Sequence, residues 1–268
     1  MLAKSLIYNG YNIEYYQYGS GSKWLFCLHG LGEEGNSFSI FEQYLGEEYT
    51  LIAFNLPFHG NTSWHDKLIF TPTELLDFIH FFVNNDKQPF CLMGYSMGGR
   101  LCLHLLQMIP ERIEKILLIA PDGLQMNFWY WLATQTKYGN KLFKYTMYQP
   151  AWFFNMIQLG RKWGVLNKSI VKYVQYYIGD EAVRTGLYKR WTAMRRFKPN
   201  LLKLKGIIAE KNIPVTIFFG KYDRIILTKR GKDFSEGYEN LIQIKELETG
   251  HQLLKPNYAA EIAAALTD

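Results

Sequence analysis

Cysteine is scarce in this chain, with three among 268 residues. Cys27, Cys91 and Cys102 each sit inside an apolar run. Three thiols cannot pair completely, and none shows metal-ligand spacing. A disulfide scaffold and a cysteine-ligated metal are therefore set aside, and small buried core thiols in a reducing compartment are expected. Long apolar runs are also missing. No stretch approaches the roughly eighteen uncharged apolar residues of a membrane span, and Met1 to Tyr8 lack the apolar core of a signal peptide. A cytoplasmic protein is the expectation. Internal repeats and low-complexity linkers are absent as well, and 268 residues suit one large α/β domain.

One segment has almost no acid. Between Gly123 and Lys205 there are 15 Lys/Arg against only Asp180 and Glu181, a local balance of +13, whereas the rest of the chain is at −7. The same segment holds 18 of the 44 aromatic residues, among them Trp129, Trp131, Trp152, Trp163 and Trp191. This compositional break predicts a separate unit over residues 123–205, inserted into a core made of residues 1–122 and 206–268.

The flanks alternate short apolar runs with helix-period segments, which predicts a mainly parallel sheet. Strands are expected at Ile13 to Tyr18, Trp24 to Leu28, Tyr49 to Phe54, Phe90 to Met93, Ile116 to Ala120, Pro214 to Phe219 and Leu241 to Leu247. Phe38, Phe41 and Leu45 share a helix face. Further helices are expected from about Thr73, over Met97 to Met108, over Leu227 to Phe234, and over Pro256 to Leu266.

Gly94-Tyr95-Ser96-Met97-Gly98-Gly99 fits G-x-S-x-G between an expected strand and an expected helix. Such a turn strains the serine backbone and lifts its hydroxyl clear of the sheet. Gly94 and Gly98 avoid side-chain clashes across it, and Gly99 permits close packing of the helix. Free N–H groups at the start of that helix point to where negative charge would develop.

With these residues the chain resembles proteins of the α/β-hydrolase fold. The likeness covers residues 1–122 and about 206–268. It rests on His29-Gly30-Leu31-Gly32 after the third strand, the elbow at Ser96, Gly220-Lys221-Tyr222-Asp223 after a late strand, and Gly250-His251 after the last. Ser, Asp, His is the order this fold uses. The resemblance implies an eight-stranded, mainly parallel sheet flanked by helices, with the 123–205 insertion after strand 6 as a helical lid. It implies Ser96 as nucleophile and His251 as base, with Asp223 orienting the base. Asp122, after the strand Ile116 to Ala120, is the rival acid. The backbone N–H groups of Leu31 and Met97 are the expected oxyanion hole. Of the other histidines, His29 has a structural role in such proteins. His59 and His65 lie in the loop after the fourth strand, and His80 and His104 read as ordinary helix residues.

Asn55-Leu56-Pro57-Phe58-His59-Gly60-Asn61-Thr62-Ser63 is similar to the D-x-P-G-H-G-x-S loop of such proteins. Asn55 stands where an acid is usual and Phe58 where a glycine is usual, so no loop-based substrate preference carries over.

The expected function is cleavage of a carboxylic ester through an acyl-enzyme on Ser96, acting on a small acyl substrate, with no cofactor and no metal. Two alternatives stand beside it. Gly-Tyr-Ser-Met-Gly-Gly-Arg is similar to the elbow of menaquinone-pathway lyases of this fold, where the arginine corresponding to Arg100 binds substrate carboxylates. The chain could instead be a non-catalytic receptor using the same pocket. For the basic segment the plain reading is a solvated face. The sharper one is that Arg184, Arg190, Arg195 or Arg196 meets an anionic substrate or an acidic membrane surface. No nucleic-acid motif accompanies the charge, and oligomeric state leaves no trace in the sequence.

Overall fold

The computed structural model describes residues 2–64, 67–83, 88–162 and 178–267. His65 lies outside them. Two compact units emerge. One comprises Met1–Trp64, Phe70–Gln125 and Arg196–Asp268, and the other His65–Ile69 and Met126–Arg195.

The first unit is built on eight strands: β1 (Lys4–Tyr8), β2 (Tyr11–Tyr18), β3 (Lys23–Leu28), β4 (Tyr49–Phe54), β5 (Phe90–Tyr95), β6 (Ile113–Ile119), β7 (Val215–Gly220) and β8 (Ile242–Leu247). Their order across the sheet is β1-β2-β4-β3-β5-β6-β7-β8. β1 and β2 run antiparallel to their neighbours, and β3 through β8 pair in parallel. Hydrophobic pattern gives no sign of β1. Its cue is the Asn9-Gly10 pair, whose φ values of 48° and 82° make the two-residue turn that folds β1 onto β2.

Alternation along the strands sorts the core onto two faces. Leu25, Cys27, Leu51, Ala53, Cys91, Met93, Leu117, Ile119 and Phe218 gather on one face. There they meet Phe38 and Phe41 of a 3-10 turn, Leu45 of α1 (Glu42–Leu45), and Ala259, Ile262 and Leu266 of α10 (Pro256–Thr267). On the other face Phe26 stacks on Phe54, 6.1 Å between centroids, and Phe54 lies 5.8 Å from Phe78 of α2 (Pro72–His80). Thr71 and Glu74 start α2 with a reciprocal capping box. Late in the chain α9 (Thr228–Ser235) packs on β7, its Gly231 so close that a Cβ would stand 2.3 Å from the Phe219 ring. All three cysteines are free and buried. Burial pushes the Cys91 thiol up to about 12, so it stays protonated.

The second boundary falls earlier than composition suggests. The basic run continues into α8 (Leu201–Lys211), yet Leu204 and Ile208 of α8 are buried. The segment entering α8 is tied to α3 (Met97–Met108) by Lys198 N–H to His104 Nδ1 (3.0 Å) and Asn200 N–H to Gln107 Oε1 (2.8 Å). Charge marks the exposed side of a helix, whereas packing decides which unit it joins.

Among its described residues the second unit holds α4 (Phe128–Gln135), α5 (Lys137–Tyr148), α6 (Ala151–Lys162) and α7 (Glu181–Ala193). Side-chain caps open three of them, from Asn127, Thr136 and Asp180. Phe143 of α5 packs against Tyr188 and Trp191 of α7, with centroids 5.5 Å from each. Arg184 is not held out toward an anion. It is buried, donates from Nε to the Met147 carbonyl at 2.7 Å, and pairs with Glu181 at 3.5 Å. No helix among the described residues is long and apolar enough to cross a membrane.

Candidate active site

Parallel pairing sends the loops after β3 to β8 out from one edge of the sheet, and that edge collects the chemistry. Ser96 follows β5 directly and adopts φ 48°, ψ −113°, a conformation that L-residues rarely occupy. Holding it costs about 1–3 kcal/mol. Hydrogen bonds to the end of β6 and the first turn of α3 supply the restraint. Ser96 N–H donates to Ile119 O at 2.9 Å, and Ser96 O accepts from Gly99 at 2.9 Å and Asp122 at 2.8 Å. Gly98 permits the turn to lie against β3, because a Cβ there would sit 1.8 Å from the Leu28 carbonyl oxygen.

The loop after β8 carries His251 to this serine. His251 Nε2 lies 3.2 Å from Ser96 Oγ, and Nδ1 lies 2.7 Å from Asp223 Oδ2. Asp223, on the loop after β7, is wholly buried at its side chain, while His251 keeps 19% exposure. The second Asp223 oxygen accepts from the N–H groups of Ile225 (2.7 Å) and Ile226 (3.0 Å), so the carboxylate cannot turn away. Burial alone would raise the Asp223 pKa. The hydrogen bonds from His251, Ile225 and Ile226 outweigh it and hold the carboxyl below its ordinary value. An ionised Asp223 accepts from Nδ1–H, which leaves the Nε2 lone pair facing the serine hydroxyl.

The rival acid is engaged elsewhere. Asp122 Oδ2 is 3.5 Å from Arg100 Nη1, and Oδ1 accepts from Gly123 N–H at 2.7 Å. Arg100 is thus neither a surface arginine nor aimed at solvent. Its side chain is buried on α3 against Asp122.

Gly30 brings the loop after β3 against the nucleophile, since a Cβ on Gly30 would stand 3.2 Å from Ser96 Cβ. In this turn the Gly32 N–H goes to His59 Nε2 and the Glu33 N–H to Gly30 O, each at 3.2 Å. Leu31, between Gly30 and Gly32, gives its N–H to neither of those bonds. Met97 is the first residue of α3, where N–H groups have no intrahelical acceptor. Met97 thus adjoins Ser96 in the chain, and Leu31 belongs to the loop that Gly30 brings against it.

His29 and His59 act as fasteners. His29 Nδ1 donates to Gly30 O at 2.7 Å and its Nε2 accepts from Leu56 N–H at 3.0 Å. His59 Nδ1 donates to Pro57 O at 3.0 Å, and its Nε2 receives the Gly32 N–H. His80 meets Arg112 at 2.8 Å, away from the serine.

Two residues of this region escape a reading of the sequence. Tyr95, beside the nucleophile, donates its hydroxyl to His251 O at 3.1 Å. Burial raises its pKa, and Glu33 and Asp223 add to the rise, so it remains a donor. Its only signal is its place in the elbow. Glu14 on β2 is buried and accepts from Asn55 Nδ2, from Asn61 N–H (2.9 Å) and from Asn61 Nδ2 (2.9 Å). The acid that Asn55 lacks is supplied from a neighbouring strand, and no spacing rule points to position 14. Among the described residues no three His, Cys, Asp or Glu side chains are grouped to hold a metal ion.

Residues 23–253 match the sequence profile of the alpha/beta hydrolase fold. The chain belongs to that family. An uncharacterized hydrolase of Bacillus subtilis, YugF, is 22% identical over 247 residues, spanning 91% of this chain and 89% of its own. A Mycoplasma pneumoniae protein provisionally named esterase/lipase 2 is 25% identical over 242 residues, covering 87% of this chain and 82% of that protein. Among solved structures, the alpha/beta hydrolase MGS-M2 from a deep-sea metagenome library superposes with a TM-score of 0.70 at 14% identity, covering 99% of this chain and 98% of its own. A thermophilic esterase from Thermogutta terrifontis does so with a TM-score of 0.67 at 12% identity, covering 100% and 97%. At such identities the superpositions speak for the alpha/beta hydrolase fold alone.

Proposed function

We propose that this alpha/beta hydrolase fold protein is a serine hydrolase that cleaves a carboxylic ester of a small acyl substrate. The observation that carries the reading is the hydrogen-bonded succession Ser96 Oγ, His251 Nε2, His251 Nδ1, Asp223 Oδ2. His251 takes the Ser96 proton as Oγ attacks the carbonyl carbon, and Asp223 stabilises the imidazolium that forms. The Leu31 and Met97 N–H groups hold the tetrahedral oxyanion. His251 then protonates the departing alkoxide, which leaves as alcohol. Water, deprotonated by the same imidazole, clears the acyl group and restores Ser96. No metal or organic cofactor enters these steps. The esterase/lipase name of the Mycoplasma relative supports an ester over other acyl compounds.

The Arg100–Asp122 pair weighs against the lyase alternative, which needs that guanidinium free for a substrate carboxylate. Hydrolysis of short p-nitrophenyl esters tests the proposal. Ser96→Ala is expected to lower kcat by about a million-fold, and a fluorophosphonate is expected to label wild type and leave Ser96→Ala unlabelled. Undiminished turnover by purified Ser96→Ala would refute the assignment. Labelling without multiple turnovers on any ester would point to the binding-only alternative.

A further inference from the structure

The second unit carries a basic, partly apolar surface on α5. From Gly123 to Gly179 the sequence contains no Asp or Glu. Within this stretch α5 presents two adjacent exposed stripes. Lys137, Lys141, Lys144 and Tyr148 recur at i, i+4, i+7 and i+11, and Tyr138, Leu142 and Tyr145 recur beside them at i, i+4 and i+7. The opposite side of α5 is already satisfied. Thr146 and Met147 are buried, Phe143 meets Tyr188 and Trp191, and Asn140 bonds to Ala133 O and Thr192. The exposed stripes are thus not surplus core. Tyr138 is 83% exposed, Tyr145 56% and Leu142 54%. No ion pair among the described residues uses Lys137, Lys141 or Lys144.

We infer that this face docks on the headgroup layer of an anionic lipid bilayer. A surface of unpartnered lysines attracts negative charge, and the lipid choice follows from what stands between them. Leu142, aliphatic and 54% exposed in the middle of the stripe, offers an anionic polymer nothing to bond or stack on. At a bilayer Leu142 reaches toward the acyl boundary, the Tyr138 and Tyr145 hydroxyls lie among the headgroups, and lysine stems extend to the phosphates. The absence of acid in the stretch removes the repulsion that an anionic surface would otherwise exert. This docking is independent of the reaction proposed at Ser96.

Co-sedimentation of the full chain with vesicles tests it, using pure phosphatidylcholine and phosphatidylcholine with about 30% phosphatidylserine. Binding to the anionic vesicles is expected at roughly 50 mM salt, falling at roughly 300 mM. Lys137→Gln/Lys141→Gln/Lys144→Gln is expected to weaken it by about tenfold or more. Tyr138→Ser/Leu142→Ser is expected to weaken it as well while leaving its salt dependence in place. Circular dichroism and turnover of a water-soluble ester confirm that each variant is folded. Failure to bind anionic vesicles, binding that ignores the triple lysine change, or binding that ignores the Tyr138/Leu142 change overturns the inference. So does tight binding of a short RNA in preference to vesicles, which would make the face a nucleic-acid surface.

Discussion

His251 turns its Nδ1 to Asp223, 2.7 Å away, while Asp122 faces Arg100. The two aspartates follow neighbouring strands, and a triad acid could stand on either. The buried Asp223, clamped by two backbone N–H groups, holds the imidazole. Asp223→Asn presents an amide where the carboxylate accepted Nδ1–H, and is expected to lower kcat by about 10³–10⁴. Asp122→Asn should leave kcat within a few-fold and instead reduce stability, because Arg100 loses its countercharge in a buried place. Ester kinetics beside urea unfolding of both variants separate the roles. Equal losses of kcat would remove the distinction.

Strain at Ser96 predicts an inverse relation between activity and stability. Glycine adopts φ 48°, ψ −113° without the side-chain clash, whereas alanine retains it. Ser96→Gly is expected to be more stable than Ser96→Ala by about 1 kcal/mol, the relieved strain being partly offset by glycine's larger unfolded-state entropy. Both should be inactive. Chemical denaturation of the pair reads the difference directly, and a less stable glycine variant would mean that the elbow is not strained.

Glu14 anchors the loop that presents His59 to Gly32. Burial works to raise its pKa, but hydrogen bonds from Asn61 and Asn55 prevail and lower it. Such a carboxylate contributes stability that is fully present above the unfolded value, about 4.3, and is lost as pH falls through the lower folded value. Glu14→Gln sets an amide group against the Asn donors and is expected to cost about 1–3 kcal/mol at neutral pH. The gap to wild type should shrink below about pH 4.3. Unfolding measured against pH checks this, and a gap that stays constant through that range would argue against an ionised Glu14.

His104 gives the opposite titration. Burial pushes its pKa below the ordinary histidine value of about 6.5. Its Nδ1 also accepts the Lys198 N–H, which requires the neutral ring. The unfolded chain therefore takes up a proton first as pH falls. Stability is fully present above about 6.5 and declines below it, levelling once the folded value is passed. His104→Gln is expected to flatten that part of the stability curve without altering ester turnover at neutral pH. An unchanged slope in the variant would place the titration elsewhere.

Ser96 and His251 are legible because their cues are local. A glycine-flanked serine between an apolar strand and a helix restricts the backbone, and a histidine in the loop after the last strand stands at the loop edge of the sheet that also carries the serine. Asp223 is legible only from its order and the loop before it, with Asp122 a rival, because distance between loops is not written in spacing. Tyr95 has only its place in the elbow as a cue, and Glu14 has no local cue at all. The contact of Glu14 with Asn55 and Asn61 spans 41 and 47 positions.

The sequence by itself determined the alternation of strands and helices, the elbow, the order of the reactive side chains and the change of composition at 123. These follow from short-range sterics and hydrophobic period, which act within a few residues. Only the tertiary structure decided which aspartate meets His251, that Arg100 and Arg184 are committed to internal partners, that Glu14 replaces an acid missing at Asn55, and that α8 joins the sheet-bearing unit. Each of these turns on which buried polar group finds which partner. That choice is made when distant segments leave water together, since an unmatched charge or N–H in the interior costs more than any local preference supplies.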